Sequence, residues 1–176
     1  EALGIKVTLL PQKESTDYLS FFKVAKILHD EKIEVIHTHN TQPFVDGTIG
    51  ALLSGVKTIV HTDHARDFPD KKRYMLAEWI MSQFAYKVIG VSDHTSKNLM
   101  HFERISQRKI MTIPNGIDGS RFNIAINRQQ KRRELGIMTD GLVLGLGVRL
   151  TEQKGITYLL DAMKKVVMHY PDTKLV

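Results

Sequence analysis

Two short segments of the chain combine histidine with other polar side chains. The first is VIHTHN, which contains His39, and the second is HTDHARDFPD, which contains Asp63, His64 and Arg66. An imidazole can hydrogen-bond a hydroxyl or support a phosphate near neutral pH. Imidazole and carboxylate are also ligands for zinc and other divalent metals, so a metal site is an alternative interpretation of the same residues.

A third segment, LGLGVRLTEQKGITYLLDAM, places cations after a glycine-containing apolar strand. Its basic residues are Arg149 and Lys154, and Gly155 follows at the start of a predicted helix. Fixed cations in a partly dry cleft stabilise the charge that develops on a leaving phosphate. The free amides at a helix N-terminus also favour an anion. The pattern therefore predicts a phosphate-binding loop.

The candidate residues must be positioned by strands and helices, and these alternate along the chain. Short apolar, β-branched runs predict strands, and amphipathic or capped segments between them predict helices. This alternation favours a parallel α/β sheet with right-handed crossovers. The predicted strands are residues 5–10, 35–38, 58–61, 88–91, 110–113 and 143–148, and the predicted helices are residues 17–31, 45–54, 71–84, 93–103, 131–135 and 155–169.

Ligands of such sheets lie at the carboxyl ends of the strands. The residues that follow the predicted strands are therefore the candidates for a site, and they include His39, Asp63, His64, Ser92 and Arg149. Ser92 either caps the next helix or faces the cleft, and it lacks the Gly-x-Ser-x-Gly pattern of a nucleophile elbow. The sequence thus predicts a polar edge along one side of the sheet.

A change of composition after residue 115 indicates a linker. Asn115 and Gly116 follow a proline as turn residues, and Asp118 comes shortly after them. We expect these residues to set the turn between two domains and to influence closure of a cleft. The predicted domains are residues 1–118 and residues 119–176.

Composition bounds the class of protein. With 176 residues, of which 42% are hydrophobic and 25% charged, the chain has the balance of a globular domain that folds in water. The absence of cysteine excludes disulfides and thiolate metal sites, and is compatible with a reducing cytoplasm. The formal net charge of +6 favours anionic partners: nucleic acid, an anionic membrane surface or a phosphorylated small molecule.

Five segments, in order, resemble the retaining nucleotide-sugar glycosyltransferases of family four, which have the GT-B fold. They are VIHTHN, HTDHARDFPD, VIGVSDHTSKNL, KIMTIPNGID and LGLGVRLTEQKGITYLLDAM. The resemblance implies two Rossmann-like domains with the donor between them. Residues 1–118 would be most of the acceptor-side domain, without its first βα unit, and residues 119–176 the first βαβ part of the donor-binding domain.

The resemblance implies roles for individual residues. Arg149 and Lys154 match the family residues that contact the donor diphosphate, and His64 matches a histidine that approaches the transferring sugar or its phosphate. His39 matches a strand end that lines the interdomain cleft. For Asp63, binding the acceptor and bracing the loop remain alternatives, and the same alternatives hold for Arg66.

The implied reaction transfers a sugar from a UDP- or GDP-linked donor with retention of anomeric configuration, in polysaccharide or glycoconjugate synthesis. Relatives use the leaving phosphate to help deprotonate the acceptor, so the resemblance requires no protein nucleophile and no cofactor. The expected acceptor is a glycan or a lipid-linked sugar. The expected location is the cytoplasm, with peripheral contact to the cytoplasmic face of an anionic membrane.

Two parts of the family pattern would lie outside this sequence. A Gly-rich loop would precede residue 1, and a pair of glutamates that relatives use around the donor would follow residue 176. We therefore expect this polypeptide alone to bind donor weakly and not to turn it over.

Three alternative functions remain. The histidines and Asp63 could make a metal-dependent hydrolase, but this leaves the Arg149 loop unexplained, so we predict no metal. The basic segment RQQKRREL could bind nucleic acid; its cations are scattered and no aromatic stacking platform is evident, so we predict no nucleic-acid partner. The GT-B fold also supports sugar-nucleotide epimerases and glycan phosphorylases.

Overall fold

The computed structural model describes residues 4–10, 19–64, 68–122, 125–138 and 140–176. The chain forms two compact units, residues 1–117 and 118–176. The first contains a sheet of four strands and the second a sheet of two, and all pairings are parallel. The α/β class with parallel sheets, predicted from the alternation of strands and helices, is confirmed.

The first unit is a parallel sheet with crossover helices. Its strands are β1 (Val35–His39), β2 (Thr58–Asp63), β3 (Lys87–Gly90) and β4 (Ile110–Thr112), and its helices are α1 (Ser20–Asp30), α2 (Thr41–Ser54), α3 (Lys72–Phe84) and α4 (Asp93–His101). The strands pair in the order β1-β2-β3-β4. The helices α2, α3 and α4 connect successive strands, as parallel pairing requires. A short 3₁₀ turn, Gln107–Lys109, leads into β4.

The core of the first unit is formed by apolar side chains from the sheet and its helices. Phe44 of α2, Val88 of β3 and Leu99 of α4 are completely buried. β2 is buried along most of its length because it has a neighbouring strand on each side. β1 lies at one end of the strand order and is more exposed, so its polar side chains remain reachable from solvent.

Local signals fix where the helices begin and end. Gly55 ends α2 in the left-handed conformation, with φ +81°. Ser92 begins α4, because its Oγ accepts a hydrogen bond from the amide of Thr95 at 3.1 Å. The ammonium of Lys109 donates to three carbonyls at the end of α3, at 2.6–2.9 Å. Lys109 thereby ties the end of α3 to the turn that leads into β4.

The second unit contains one parallel βαβ arrangement. Its elements are α5 (Arg128–Glu134), β5 (Val143–Leu144), α6 (Ile156–His169) and β6 (Lys174–Leu175), with 3₁₀ turns at Gly119–Phe122 and Glu152–Lys154. The pairing continues past β5, since the amide of Leu146 donates to the carbonyl of Val176 at 2.8 Å. Met163 of α6 is buried at 8% exposure. The parallel pairing of β6 with β5 therefore completes the βαβ arrangement.

Several predicted elements differ from the structure, and the helix predicted at 45–54 begins at Thr41. Residues 5–10 form no strand and stay exposed, because an apolar run becomes a strand only where a neighbour supplies backbone hydrogen bonds. The helix predicted at 131–135 begins at Arg128, where Asn127 Oδ1 accepts from the amide of Gln130 at 3.1 Å. The strand predicted at 143–148 ends at Leu144, although its backbone bonding continues for two residues.

We expect Gly90→Ala to destabilise the first unit by about 1–3 kcal/mol, since overpacking forces the backbone to shift. A Cβ at this position would lie 2.4 Å from Oγ of Ser96 and 2.8 Å from its amide nitrogen. Urea unfolding followed by fluorescence of the single tryptophan, Trp79, measures the change. Gly116→Ala is the matched control, because nothing lies within 4 Å of its added Cβ. Equal stability of the two variants would contradict the close packing of β3 on α4.

Candidate functional site

The parallel pairing of β1 with β2 sets the geometry at the carboxyl edge of the first sheet. The register places His39, the last residue of β1, opposite Thr62 of β2. His64 follows β2 directly, and its Nε2 lies 3.0 Å from Nδ1 of His39. The two ring planes are inclined by 27°, with centroids 5.3 Å apart. Two of the residues that the sequence singled out are therefore in direct contact.

His37 lies beside this pair. It shares one face of β1 with His39, and the two ring centroids are 4.4 Å apart. Its Nε2 lies 2.8 Å from the hydroxyl of Thr62. Burial, followed by the neighbouring imidazoles of His37 and His64, lowers the pKa of His39 below its ordinary value of 6.5. The environment of His39 thus favours its neutral form.

His61 belongs to the core. It is 1% exposed, and its ring stacks on Phe44 at a centroid distance of 3.9 Å and an interplanar angle of 7°. Its Nδ1 lies 2.9 Å from the hydroxyl of Thr38. This hydrogen bond and the ring stack fix the end of β2 against β1 and α2.

A buried polar cluster contains one residue that sequence reasoning missed. His61, Asp63 and Glu78 bring their ligand-type atoms within 4.8 Å of one another, and each is at most 2% exposed. Glu78 lies in α3, and the one available signal was a charged residue within an otherwise apolar stretch of helix. Each of the three is engaged in a further interaction. The burial of Asp63 agrees better with the loop-bracing alternative than with acceptor binding. Arg66 lies outside the described residues.

Ser92 is placed as a helix cap. Besides accepting from the amide of Thr95, its Oγ lies 3.0 Å from the hydroxyl of Thr95. Both contacts are local to the first turn of α4, and Gly90 lets that turn approach β3 closely. The structure therefore gives Ser92 a capping function, and its role as a cleft residue stays a prediction.

The predicted linker residues lie at the boundary between the two units. Asn115, Gly116 and Asp118 are exposed. Asp118 forms a local turn, in which its carboxylate accepts from the hydroxyl and the amide of Ser120 at 2.6 Å and 3.0 Å. The hydroxyl of Ser120, followed by its amide, lowers the pKa of Asp118. These bonds order the start of the second unit.

The predicted phosphate loop of the second unit is a closed turn with exposed cations. The carbonyl of Arg149 accepts from the amide of Thr151 at 2.9 Å, and the amide of Lys154 donates to the carbonyl of Thr151 at 3.0 Å. Gly155, with φ +61°, then begins the 14 residues of α6. The side chains of Arg149 and Lys154 are exposed, and neither bonds to another described residue.

The basic segment of α5 has a structural component. Arg132 is 7% exposed, and its guanidinium donates to the carbonyl of Gly141. Lys131 pairs with Glu134 at 2.8 Å on the helix surface. These contacts account for two of the cations that suggested nucleic-acid binding. Over the described part of the chain, no helix is both long enough and apolar enough to cross a membrane.

The fold and the polar carboxyl edge define the class of this protein. A parallel α/β sheet with ligand-type side chains after successive strands is the arrangement of Rossmann-like binding domains. The model of Glycosyltransferase Family 4 matches residues 2–121. The chain belongs to this family.

Comparisons with individual proteins agree with that membership. A relative from Escherichia coli, named UDP-Gal:alpha-D-GlcNAc-diphosphoundecaprenol alpha-1,3-galactosyltransferase, is 30% identical over 158 residues, which cover 86% of this chain and 41% of the relative. A protein from Methanocaldococcus jannaschii, described as an uncharacterized glycosyltransferase, is 28% identical over 85% of this chain and 41% of its own length. The chain thus spans about two fifths of the curated relatives it matches.

A solved structure extends the agreement to the fold. The crystal structure of Anabaena HepE in complex with UDP and glucose superimposes with a TM-score of 0.74 at 18% identity, over 93% of this chain and 45% of that protein. At this identity the likeness concerns the fold. The predicted GT-B type of α/β architecture is confirmed.

The environment of His39 leads to a prediction for its titration. We expect its titration midpoint to lie below 6.5, with burial as the main cause and the neighbouring imidazoles as the lesser ones. The unfolded chain would then bind the proton at higher pH than the folded chain, so His39 makes stability fall as pH drops through its unfolded value.

Proton NMR of the imidazole C2–H resonances between pH 5 and pH 8 measures the midpoint of His39. His37→Asn should raise that midpoint, because it removes one of the neighbouring rings. A wild-type midpoint for His39 at or above its ordinary value of 6.5 would contradict this description of the site.

Proposed function

We propose that the protein carrying this chain is a retaining glycosyltransferase, which moves a sugar from a UDP- or GDP-linked donor to a glycan or lipid-linked acceptor. Family membership supports the reaction class. The E. coli relative is named for transfer from UDP-Gal to a lipid diphosphate, and the HepE structure holds UDP and glucose. Polysaccharide or glycoconjugate synthesis is the process in which such a reaction is used.

The observation that carries the proposal is the exposed cationic turn before α6. Arg149 and Lys154 have no anionic partner among the described residues, and Gly155 leads directly into a helix N-terminus. A pyrophosphate bound there would meet two side-chain cations and the unsatisfied amides of the first turn. When the sugar leaves, the extra charge on the phosphate is stabilised by groups that are already in place.

His64 has the second role in the proposal. Its imidazole would hydrogen-bond the transferring sugar or a donor phosphate oxygen, and His39 beside it would line the same cleft. Asn115, Gly116 and Asp118 would form the hinge through which the two units close on the donor. Arg149 and Lys154 would neutralise the charge of the donor pyrophosphate, so the proposed reaction requires no metal or cofactor.

Retention is proposed with the leaving phosphate as the base for the incoming acceptor hydroxyl. In this mechanism the enzyme positions donor and acceptor on one face of the sugar and stabilises the departing diphosphate. The anomeric coupling constant of the product, measured by proton NMR, checks retention. The same product analysis separates transfer from epimerisation and phosphorolysis.

A groove on the first unit is the proposed docking site for a lipid-linked acceptor, and it is also the surface through which we propose peripheral membrane contact. The groove is about 430 Å³ and is open to solvent. Its apolar lining includes Trp79 and Leu76 of α3, and the cations Lys72 and Arg104 flank that lining. Apolar surface flanked by cations complements an acyl or prenyl chain that carries anionic groups. The proposed location is the cytoplasmic face of a membrane.

Arg149→Ala should lower kcat of the full-length enzyme by about 10²–10³-fold, the usual effect of removing one group that stabilises developing charge. It should also weaken the thermal stabilisation given by UDP or GDP across a panel of nucleoside diphosphates and their sugars. Lys164→Ala is the control, since Lys164 lies on the surface of α6 and pairs with exposed Asp161. Turnover and nucleotide stabilisation equal to the control would remove the diphosphate role.

Lys72→Glu should reduce binding to vesicles that contain anionic lipid, because it places a negative charge at the edge of the apolar groove. Lys57→Glu, an equal charge reversal at an exposed position before β2, is the control. Co-sedimentation at several salt concentrations measures binding. Equal losses in both variants would show that net charge, and not the groove, governs attachment.

A further inference from the structure

The contact between His39 and His64 assigns different functions to the ring nitrogens of His64. Nε2 of His64 lies 3.0 Å from Nδ1 of His39, which is a hydrogen-bond distance between two imidazoles. One of these nitrogens donates and the other accepts, so the bond fixes a complementary pair of tautomers. Nδ1 of His64 has no bonding partner among the described residues.

The ring of His39 is itself held in place. His37 packs against it with centroids 4.4 Å apart, and the hydroxyl of Thr62 holds His37 at 2.8 Å. His37 and His39 belong to β1 and Thr62 belongs to β2, so the parallel register defines the positions of all three. His64, by contrast, lies just beyond the end of β2 and has no strand pairing. The bond from His39 therefore connects an ordered ring to one that the sheet does not constrain.

We propose that His39 is a positioning residue, whose Nδ1 holds Nε2 of His64 and leaves Nδ1 of His64 as the atom that hydrogen-bonds the donor. This inference rests on the proposed function, because it takes His64 to be the histidine that reaches the sugar or its phosphate. It replaces a direct contact of His39 with ligand by an indirect one. Holding the tautomer of a functional histidine through its second nitrogen is a general device in enzymes.

The first test separates the effect of the hydrogen bond made by His39 from the effect of its ring packing. His39→Phe keeps a ring against His37 but removes the bond, whereas His39→Asn places an amide near the position of Nδ1 and can keep it. In the full-length enzyme we expect His39→Phe to lower kcat roughly 10- to 100-fold with little change in the donor KM, since the loss is one of positioning. His39→Asn should recover most of that loss. His29→Phe, on the surface of α1, is the control.

The second test determines which ring nitrogen of His64 hydrogen-bonds the donor. The amide of asparagine occupies nearly the position of Nδ1 of histidine, and the amide of glutamine that of Nε2. We expect His64→Asn to retain at least tenfold more kcat than His64→Gln. The reverse order would show that Nε2 is the working atom and would overturn the proposal.

A spectroscopic measurement tests the hydrogen bond between His39 and His64 independently of enzyme activity. In protein labelled with ¹⁵N-histidine, a scalar coupling across the hydrogen bond should connect Nδ1 of His39 with Nε2 of His64, and His39→Phe should abolish it. Absence of that coupling in the wild type sinks the inference. Urea unfolding of each variant, followed through Trp79, identifies any loss of activity that comes from loss of fold.

A set of His64 and His39 variants distinguishes the proposed role of His64 in sugar transfer from the positioning role of His39. If His64→Ala retains wild-type kcat, the proposed role of His64 in sugar transfer fails, and the coupling alone then decides whether His39 holds its ring. If His64→Ala is impaired but His39→Phe is not, the proposed function stands and the positioning role is wrong. If zinc shifts the resonances of both histidines at stoichiometric concentration, the pair is a metal site and the inference is wrong.

Discussion

The parallel register between β1 and β2 is the constraint on which the candidate site depends. It pairs His39 with Thr62, so the residues that end or follow the two strands reach the same edge together. In a parallel sheet every strand delivers its carboxyl end to one side, and a shift by one residue would turn His39 to the opposite face. The histidine pair therefore exists only because the buried face of β2 fixes the alignment of its more exposed neighbour.

Several polar side chains of β1, β2 and α3 are buried. Thr38, His61, Asp63 and Glu78 are all at most 5% exposed. Buried polar groups stabilise a fold only when they are bonded, and His61 is both stacked on Phe44 and bonded to Thr38. The ring stack and this hydrogen bond hold the ring of His61 in one orientation within β2.

Interactions within a few residues could be predicted from the sequence, whereas contacts between residues far apart in the sequence could not. Capping by Ser92 was one of two predictions made from residue type and position alone, because capping involves only neighbours within a few residues. The strand predicted at residues 5–10 was wrong, since pairing depends on a distant partner. The contact of His39 with His64 spans 25 positions, and Glu78 reaches its cluster from another element. Sequence periodicity cannot predict such contacts, although it placed both histidines at the correct edge.

The two units contribute different kinds of chemistry, and this division explains why positioning matters in the first unit. The environment of His39 favours the uncharged imidazole, so this ring adds little to the attraction of a pyrophosphate. The exposed cations of the second unit include Arg149 and Lys154, and long-range attraction of an anion is their natural effect. An uncharged imidazole acts only through a short, well-directed hydrogen bond, and its contribution disappears with small misalignment. An imidazole that acts in this way must be held firmly, and the ring contact with His37 and the hydrogen bond to His64 provide that fixation for His39.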